Sequence, residues 1–139
     1  VSASRPPFAL QCIDHVVLIV DGMEEALAFY GDVLGAKPEG DLMQFGMMQL
    51  RAGASMIDLV DVGIAEGVWA RPEVGGGRNM DHLCLDVGPV EAAAMKRHLK
   101  AHGVEVFEEG VRSGAKGEDY SWYIRDPWGN AIELKRSGG

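Results

Sequence analysis

The chain has 139 residues, 47% hydrophobic and 24% charged, with 21 Asp and Glu against 13 Lys and Arg for a formal net charge of −8. This is enough chain for one ordinary domain with its own core, and the acidic balance, with no dense run of Lys or Arg, argues against nucleic acid or an acidic membrane as partner and for a small-molecule substrate. No apolar run approaches the roughly 18 residues of a membrane span, the opening residues lack a signal-peptide pattern, and Cys12 and Cys84 make neither a disulfide framework nor a Cys-x-x-Cys pair, so a cytoplasmic location is expected.

Residues 1–11 read as a mobile lead-in whose Ser and Pro offer nothing to pack, and the missing initiator Met as the mark of processing. A single domain is expected over 12–139, with a first module at about 12–61, a linker at 62–79 and a second module at about 80–136. Ile13 to Val20 is rich in Val and Ile and reads as a strand covered on both faces, with Ile13, His15, Val17 and Ile19 sharing one face. Asp21-Gly22-Met23-Glu24 matches a capping box. Met23, Ala26, Leu27, Tyr30 and Leu34 follow at helical spacing, and Gly35 supplies a left-handed end, which predicts a helix over 23–34.

Three short strands are predicted at about 37–41, 44–50 and 55–61, separated by Gly-containing turns. The first module is therefore β-α-β-β-β. Residues 62–79 hold Gly63, Gly67, Pro72 and Gly75-Gly76-Gly77. They read as a linker, because the triple glycine lacks the strand before, the helix after and the Lys-Ser or Lys-Thr of a phosphate loop.

The second module repeats the order. A strand is predicted over 80–87, then a helix opening at Pro89 and ending at Gly103, with Lys96, Arg97 and Lys100 near the negative end of its dipole. Val104 to Phe107 reads as a short strand, 110–118 as a polar loop, and 120–125 as a strand. Asp126-Pro127-Trp128-Gly129-Asn130 then makes a tight turn into a last strand at 131–135.

The repeat is quantitative. His82 follows His15 by 67 residues, Glu91 follows Glu24 by 67, and Ile132-Glu133-Leu134 echoes Ile57-Asp58-Leu59 at an offset of 75. Each module thus brings one histidine on its first strand and one carboxylate on its last: His15 with Asp58, and His82 with Glu133. A lone strand histidine is ordinarily a hydrogen-bonded core residue, and a lone Asp or Glu a solvated one; repetition is what points to a shared site. Two imidazoles and two carboxylates suit one divalent ion of Fe, Mn, Co, Ni or Zn better than Ca or Mg. Cys84 lies on the His82 face but reads as a small buried hydrophobe. Asp14 and Asp81 point the other way, and His98 and His102 read as part of a solvated helix face.

The paired modules, the Ile13-Asp14-His15-Val16 opening, the Phe29-Tyr30-Gly31-Asp32-Val33-Leu34-Gly35 helix end and the Arg125-Asp126-Pro127-Trp128-Gly129-Asn130-Ala131-Ile132-Glu133-Leu134 close resemble the vicinal oxygen chelate superfamily. This group includes glyoxalase I, methylmalonyl-CoA epimerase, fosfomycin-resistance thiol transferases, extradiol dioxygenases and bleomycin-resistance proteins. The resemblance implies an α+β fold whose two curled mixed sheets form a cup around one metal ion, with ligands at His15, His82 and Glu133. Asp58 stands where four-ligand members place Glu or Gln, so it is a ligand, a partner through water, or a base.

The implied chemistry is metal-assisted removal of a proton alpha to a carbonyl, with Glu133 as first choice of base and Asp58 as second. A lyase or isomerase acting on a small oxygenated substrate is the leading expectation, and a homodimer is expected. An Fe(II) extradiol-type dioxygenase, a thiol transferase and a non-catalytic binding module are the alternatives. Ile19 and Val62 replace the Arg and Asn of bacterial glyoxalase I, which disfavours a glutathione hemithioacetal. Val17 replaces a Thr of the fosfomycin transferases, whereas Tyr123 matches their substrate-facing tyrosine. Tyr123, Val17 and Ile19 are accordingly the expected substrate-binding residues.

Overall fold

The Val- and Ile-rich segment after Asp14 forms the outer strand of a sheet in a computed structural model of the chain, which describes residues 11–71, 80 and 82–138. The expected lead-in, apart from Gln11, the triple glycine of the linker and Asp81 lie outside the described residues. The first module runs β1 (His15–Val20), α1 (Met23–Leu27), β2 (Lys37–Leu42), β3 (Met47–Ala52) and β4 (Ser55–Asp61). The second runs β5 (Leu83–Gly88), α2 (Ala92–Ala101), β6 (Glu108–Arg112), β7 (Asp119–Arg125) and β8 (Ala131–Arg136).

Two open four-stranded mixed sheets result, ordered β1-β4-β3-β2 and β5-β8-β7-β6. In each, the first strand runs parallel to the last, and the last three strands form an antiparallel meander. The parallel pairing follows from the helix between the first strand and the rest, which carries the chain back to the same end of the sheet. The expected α+β fold of two β-α-β-β-β modules is therefore present.

Several boundaries differ from the sequence reading. The helix over 23–34 is α-helical only to Leu27, and Ala28–Val33 continue as a wider π-helical turn. There the Leu34 amide donates to Phe29 O, five residues back, which lets two adjacent rings, Phe29 and Tyr30, both bury and meet edge to face at 5.1 Å. The capping box does not form: Gly22 is the N-cap, with no side-chain cap bond from Asp21. Instead Asp61, at the end of β4, accepts from the amides of Gly22 (3.0 Å) and Met23 (2.9 Å). A carboxylate from the neighbouring strand thus replaces the local cap.

Helix α2 starts at Ala92 with Glu91 as N-cap, not at Pro89. Residues 104–107 are not a strand; Val104 and Val106 pack against the core, and the pairing begins one residue later, at Glu108. The 110–118 loop is correspondingly shorter, since Gly110 to Arg112 belong to β6.

Helices cover one side of the sheets, and the core is continuous through both modules, from Leu18, Tyr30, Leu50 and Leu59 to Leu99, Trp122, Ile124 and Ile132. Polar ties reinforce it. Tyr30 OH donates to Asp126 Oδ2, Trp128 Nε1 donates to Asp21 O, and His98 Nε2 donates to Val33 O. His98 is exposed on α2, as expected, and also ties the two modules. Among the described residues, no helix is long and apolar enough to cross a membrane.

Candidate functional site

The strand registers place the candidate residues. In the first module Asp58 sits opposite Val17 on β1 and Gln49 on β3. In the second, Glu133 sits opposite Cys84 on β5 and Tyr123 on β7. Because side chains alternate across a strand, these carboxylates face away from the helices, on the side where His15 and His82 stand at the starts of β1 and β5.

Each histidine meets the carboxylate of its own module. His82 Nε2 is 3.2 Å from Glu133 Oε2, and His15 Nε2 is 4.0 Å from Asp58 Oδ2. Both carboxylates are buried, Asp58 at 3% and Glu133 at 5% exposure, whereas both histidines reach solvent. The two pairs do not merge: among the described residues no three His, Cys, Asp or Glu side chains gather closely enough to hold a metal. A cavity of about 1020 Å³ opens between the modules, but Val16, Ile57, Leu85, Met95 and Leu99 line it, and none of the four site residues does. It runs along the β5 edge and against Met95 and Leu99 of α2.

One oxygen of each carboxylate, Asp58 Oδ1 and Glu133 Oε1, is buried with no hydrogen-bond partner. A buried anionic oxygen left this way is costly unless a cation meets it. Beside an imidazole nitrogen, it is a donor set of the kind a borderline divalent ion takes. Each pair therefore has donor types that suit a metal, one nitrogen and one or two oxygens, but not by itself the number an ion needs.

The surroundings tune both pairs. His15 Nδ1 lies 2.8 Å from Asp14 Oδ2, and the Asp14 hydrogen bond, then the Asp58 charge, hold its imidazole above the ordinary value. Asp14 was expected to point away; instead it fixes the ring so that Nε2 faces Asp58. Burial pushes the Glu133 carboxyl up, but Ser121, Tyr123, Cys84 and His82 together more than offset this and leave it below the usual carboxylate value. None of them gives Oε1 a well-formed hydrogen bond. Glu133 is accordingly held as an anion with one free oxygen.

Cys84 is not the buried hydrophobe expected. It is an exposed residue of an edge strand, yet the thiol is pushed up to about 12, first by the sheet face that partly covers it and then by Glu133. The adjacent anion alone disfavours the thiolate, so the direction does not depend on how deeply the group is buried.

Of the expected substrate residues, Val17 and Ile19 are open to solvent at 46% and 41% exposure. They form an apolar border beside Asp58. Tyr123 is buried, its ring edge to face with His82 at 5.7 Å, and its hydroxyl accepts from Arg112 Nε at 3.2 Å. Sequence reasoning missed Gln49, whose Nε2 approaches Asp58 Oδ2 at 3.4 Å, as well as Arg112 and Ser121. Gln49 was within reach: a hairpin closing on Gly53-Ala54 places it opposite Asp58. Gly40 on β2 leaves the space that the Gln49 side chain fills.

Two such modules, each with its histidine–carboxylate pair on the open sheet face, define a glyoxalase-type domain. The chain belongs to the Glyoxalase/Bleomycin resistance protein/Dioxygenase superfamily, whose model matches residues 12–134. It is 33% identical over 129 residues to the glyoxalase domain-containing protein RDO1 of Mycosarcoma maydis, covering 91% of this chain and 68% of that protein. Human mitochondrial methylmalonyl-CoA epimerase is 29% identical over 135 residues, covering 90% of this chain and 73% of the epimerase. The crystal structure of the Salmonella typhimurium virulence protein STM3117 superposes with a TM-score of 0.70 at 26% identity, over 94% of this chain and 100% of that one. The fosfomycin resistance protein FosX of Listeria monocytogenes, at 18% identity and a TM-score of 0.67 over 94% of this chain and 96% of that one, shares the fold.

Proposed function

We propose that the chain is a divalent-metal-dependent lyase or isomerase that moves a proton alpha to a carbonyl of a small oxygenated substrate, and that a homodimer completes its site. The observation that carries this is the His82–Glu133 pair: a buried carboxylate, one oxygen 3.2 Å from an imidazole nitrogen and the other without a partner. His15 and Asp58 repeat the arrangement in the first module. Likeness to an epimerase supports proton transfer as the reaction type.

The metal would be held by His15, His82, Glu133 and, as fourth donor, Asp58. The chemistry such an ion supplies is Lewis-acid polarisation of two adjacent substrate oxygens. Glu133, held anionic beside Tyr123 and Ser121, is the acceptor for the proton, and Asp58 is the second carboxylate able to take or return one. Val17 and Ile19 exclude water along the apolar border and receive the hydrocarbon part of the substrate.

A second copy would supply the missing donors, since each pair alone offers too few for the ion and no third such side chain joins either pair among the described residues. Apposing the first module of one copy to the second module of another would bring four donors together and cover Val17 and Ile19.

Elemental analysis of the full chain after loading with Ni, Co, Zn, Mn or Fe tests the reading. One ion per chain in the wild type, lost in Glu133→Ala and His82→Ala, is the expected result. A wild type that cannot be loaded stoichiometrically overturns it, above all if the apo protein binds an apolar ligand that His15→Ala binds equally well. Oxygen uptake with catechols under Fe(II), or glutathione consumption with an epoxide, would move the activity to a dioxygenase or a thiol transferase.

A further inference from the structure

Beyond Glu133, the open face of the second sheet continues as a row of rings that ends in a cation. Tyr123 and Arg125 stand two residues apart on β7 and so share this face. The His82 and Tyr123 rings are 5.7 Å apart, Tyr123 and Phe107 are 6.1 Å apart, and the Arg125 guanidinium lies 4.3 Å from the Phe107 ring centre. Phe107 keeps 43% of its surface exposed, which is a costly place for a phenyl ring unless something covers it.

The two guanidinium groups on this face are not equivalent. Arg112 is already engaged, donating to Tyr123 OH, Val111 O and Glu108 Oε2. Arg125 donates to Gly129 O at 3.3 Å and makes no ion pair among the described residues. In a chain of net charge −8, a cation without a carboxylate, 4.3 Å over an exposed ring at the rim of a site, has its charge available to a ligand. The cation–π contact with Phe107 holds the guanidinium at this rim, and a guanidinium can give a carboxylate or phosphate two parallel hydrogen bonds.

We propose that Arg125 receives a terminal anionic group of the substrate. The substrate is then an elongated anion: vicinal oxygens at the His82–Glu133 end, a flat apolar or aromatic middle over Tyr123 and Phe107, and a carboxylate or phosphate on Arg125. The oxygen end rests on the metal reading given above; the Arg125 end does not.

Binding of three catechol probes to the Zn-loaded full chain, measured by calorimetry without oxygen, tests this. 3,4-Dihydroxyhydrocinnamate carries a carboxylate opposite its vicinal oxygens, 2-(3,4-dihydroxyphenyl)ethyl phosphate carries a phosphate there, and the methyl ester of the first carries no charge. At least one anion is expected to bind about tenfold or more tightly than the ester, the effect of one charge-assisted contact. Which anion gains more identifies the group. The preference is expected to vanish in Arg125→Met, survive in part in Arg125→Lys, and shrink at high salt. Equal binding of all three probes, or an unchanged preference in a folded Arg125→Met, overturns the proposal; if Arg125→Met does not fold, loss of the preference at high salt and its retention in Arg125→Lys decide. The same titration on metal-free protein separates the two readings. A preference that persists in a chain unable to take up metal keeps the anion site and removes the metal enzyme, whereas stoichiometric metal without a preference does the reverse.

Discussion

The Tyr30 hydroxyl donates to Asp126 Oδ2 at 2.7 Å, across 96 positions of the chain. Tyr30 is fully buried, and burial, then the hydrogen bond to Asp126 and its charge, raise its phenol far above the ordinary value, so the group is a permanent donor. Asp126 also accepts from the amides of Trp128 and Asn130 and from Asn130 Nδ2. One bond therefore ties the helix of the first module to the turn that sets the start of β8 and, with it, Glu133. Tyr30→Phe is expected to lower unfolding stability by about 1.5–3 kcal/mol, the range for a buried hydrogen bond to a charged group, read from urea denaturation midpoints. A loss within error of zero would show that the turn holds itself.

Asp61 does for α1 what the local sequence does not. Asp61→Ala removes both cap bonds, to Gly22 and Met23, together with the bond to the Gly63 amide. The expected cost is about 1–2 kcal/mol, while Asp21→Ala should cost little, because its side chain caps nothing. Equal losses in the two variants would restore the local capping box.

The contrast marks what was legible in the sequence. The 67-residue offset revealed both histidines and the module order, because strands and helices write their period into neighbouring residues. The β4 bounds and the turn at 126–130 followed from Gly and Pro chemistry. The Asp61 cap did not, since its partners lie 38 and 39 residues away. Nor did the start of β6, because Val104 and Val106 are apolar for a packed loop as readily as for a strand. The pairing of each histidine with its own carboxylate was readable from the repeat, but the distance between the two pairs was not, since it depends on how the modules pack.

Asp86 makes a pH prediction. Ser137, then Lys116 and the Gly88 amide, hold its carboxyl well below the ordinary 3.8. A group lowered by folding stabilises the folded state fully above its unfolded value, and the gain is lost as pH falls toward its folded value. Thermal midpoints of wild type and Asp86→Asn should therefore differ most near neutral pH, with the gap closing below about pH 3. Salt should narrow it, because Asp86 and Lys116 are largely exposed. A gap that widens in acid contradicts the assignment.

Cys84 and Cys12 should separate chemically. With its thiol pushed up to about 12 beside Glu133, Cys84 holds almost no thiolate near pH 8 and should alkylate with iodoacetamide far more slowly than the exposed Cys12. Glu133→Gln removes the anion and should speed Cys84 alone, as peptide mapping would show. Equal rates at both cysteines in the wild type would mean that Glu133 does not face the thiol.

The central claim is that His15 and Asp58 of one copy share an ion with His82 and Glu133 of another. The most direct measurement is the metal content of a heterodimer isolated with two tags, one chain carrying His15→Ala and Asp58→Ala, the other carrying His82→Ala and Glu133→Ala. One ion per heterodimer, with neither doubly substituted homodimer holding any, is the predicted result. A heterodimer as empty as its parents, from a wild type that loads fully, would contradict it.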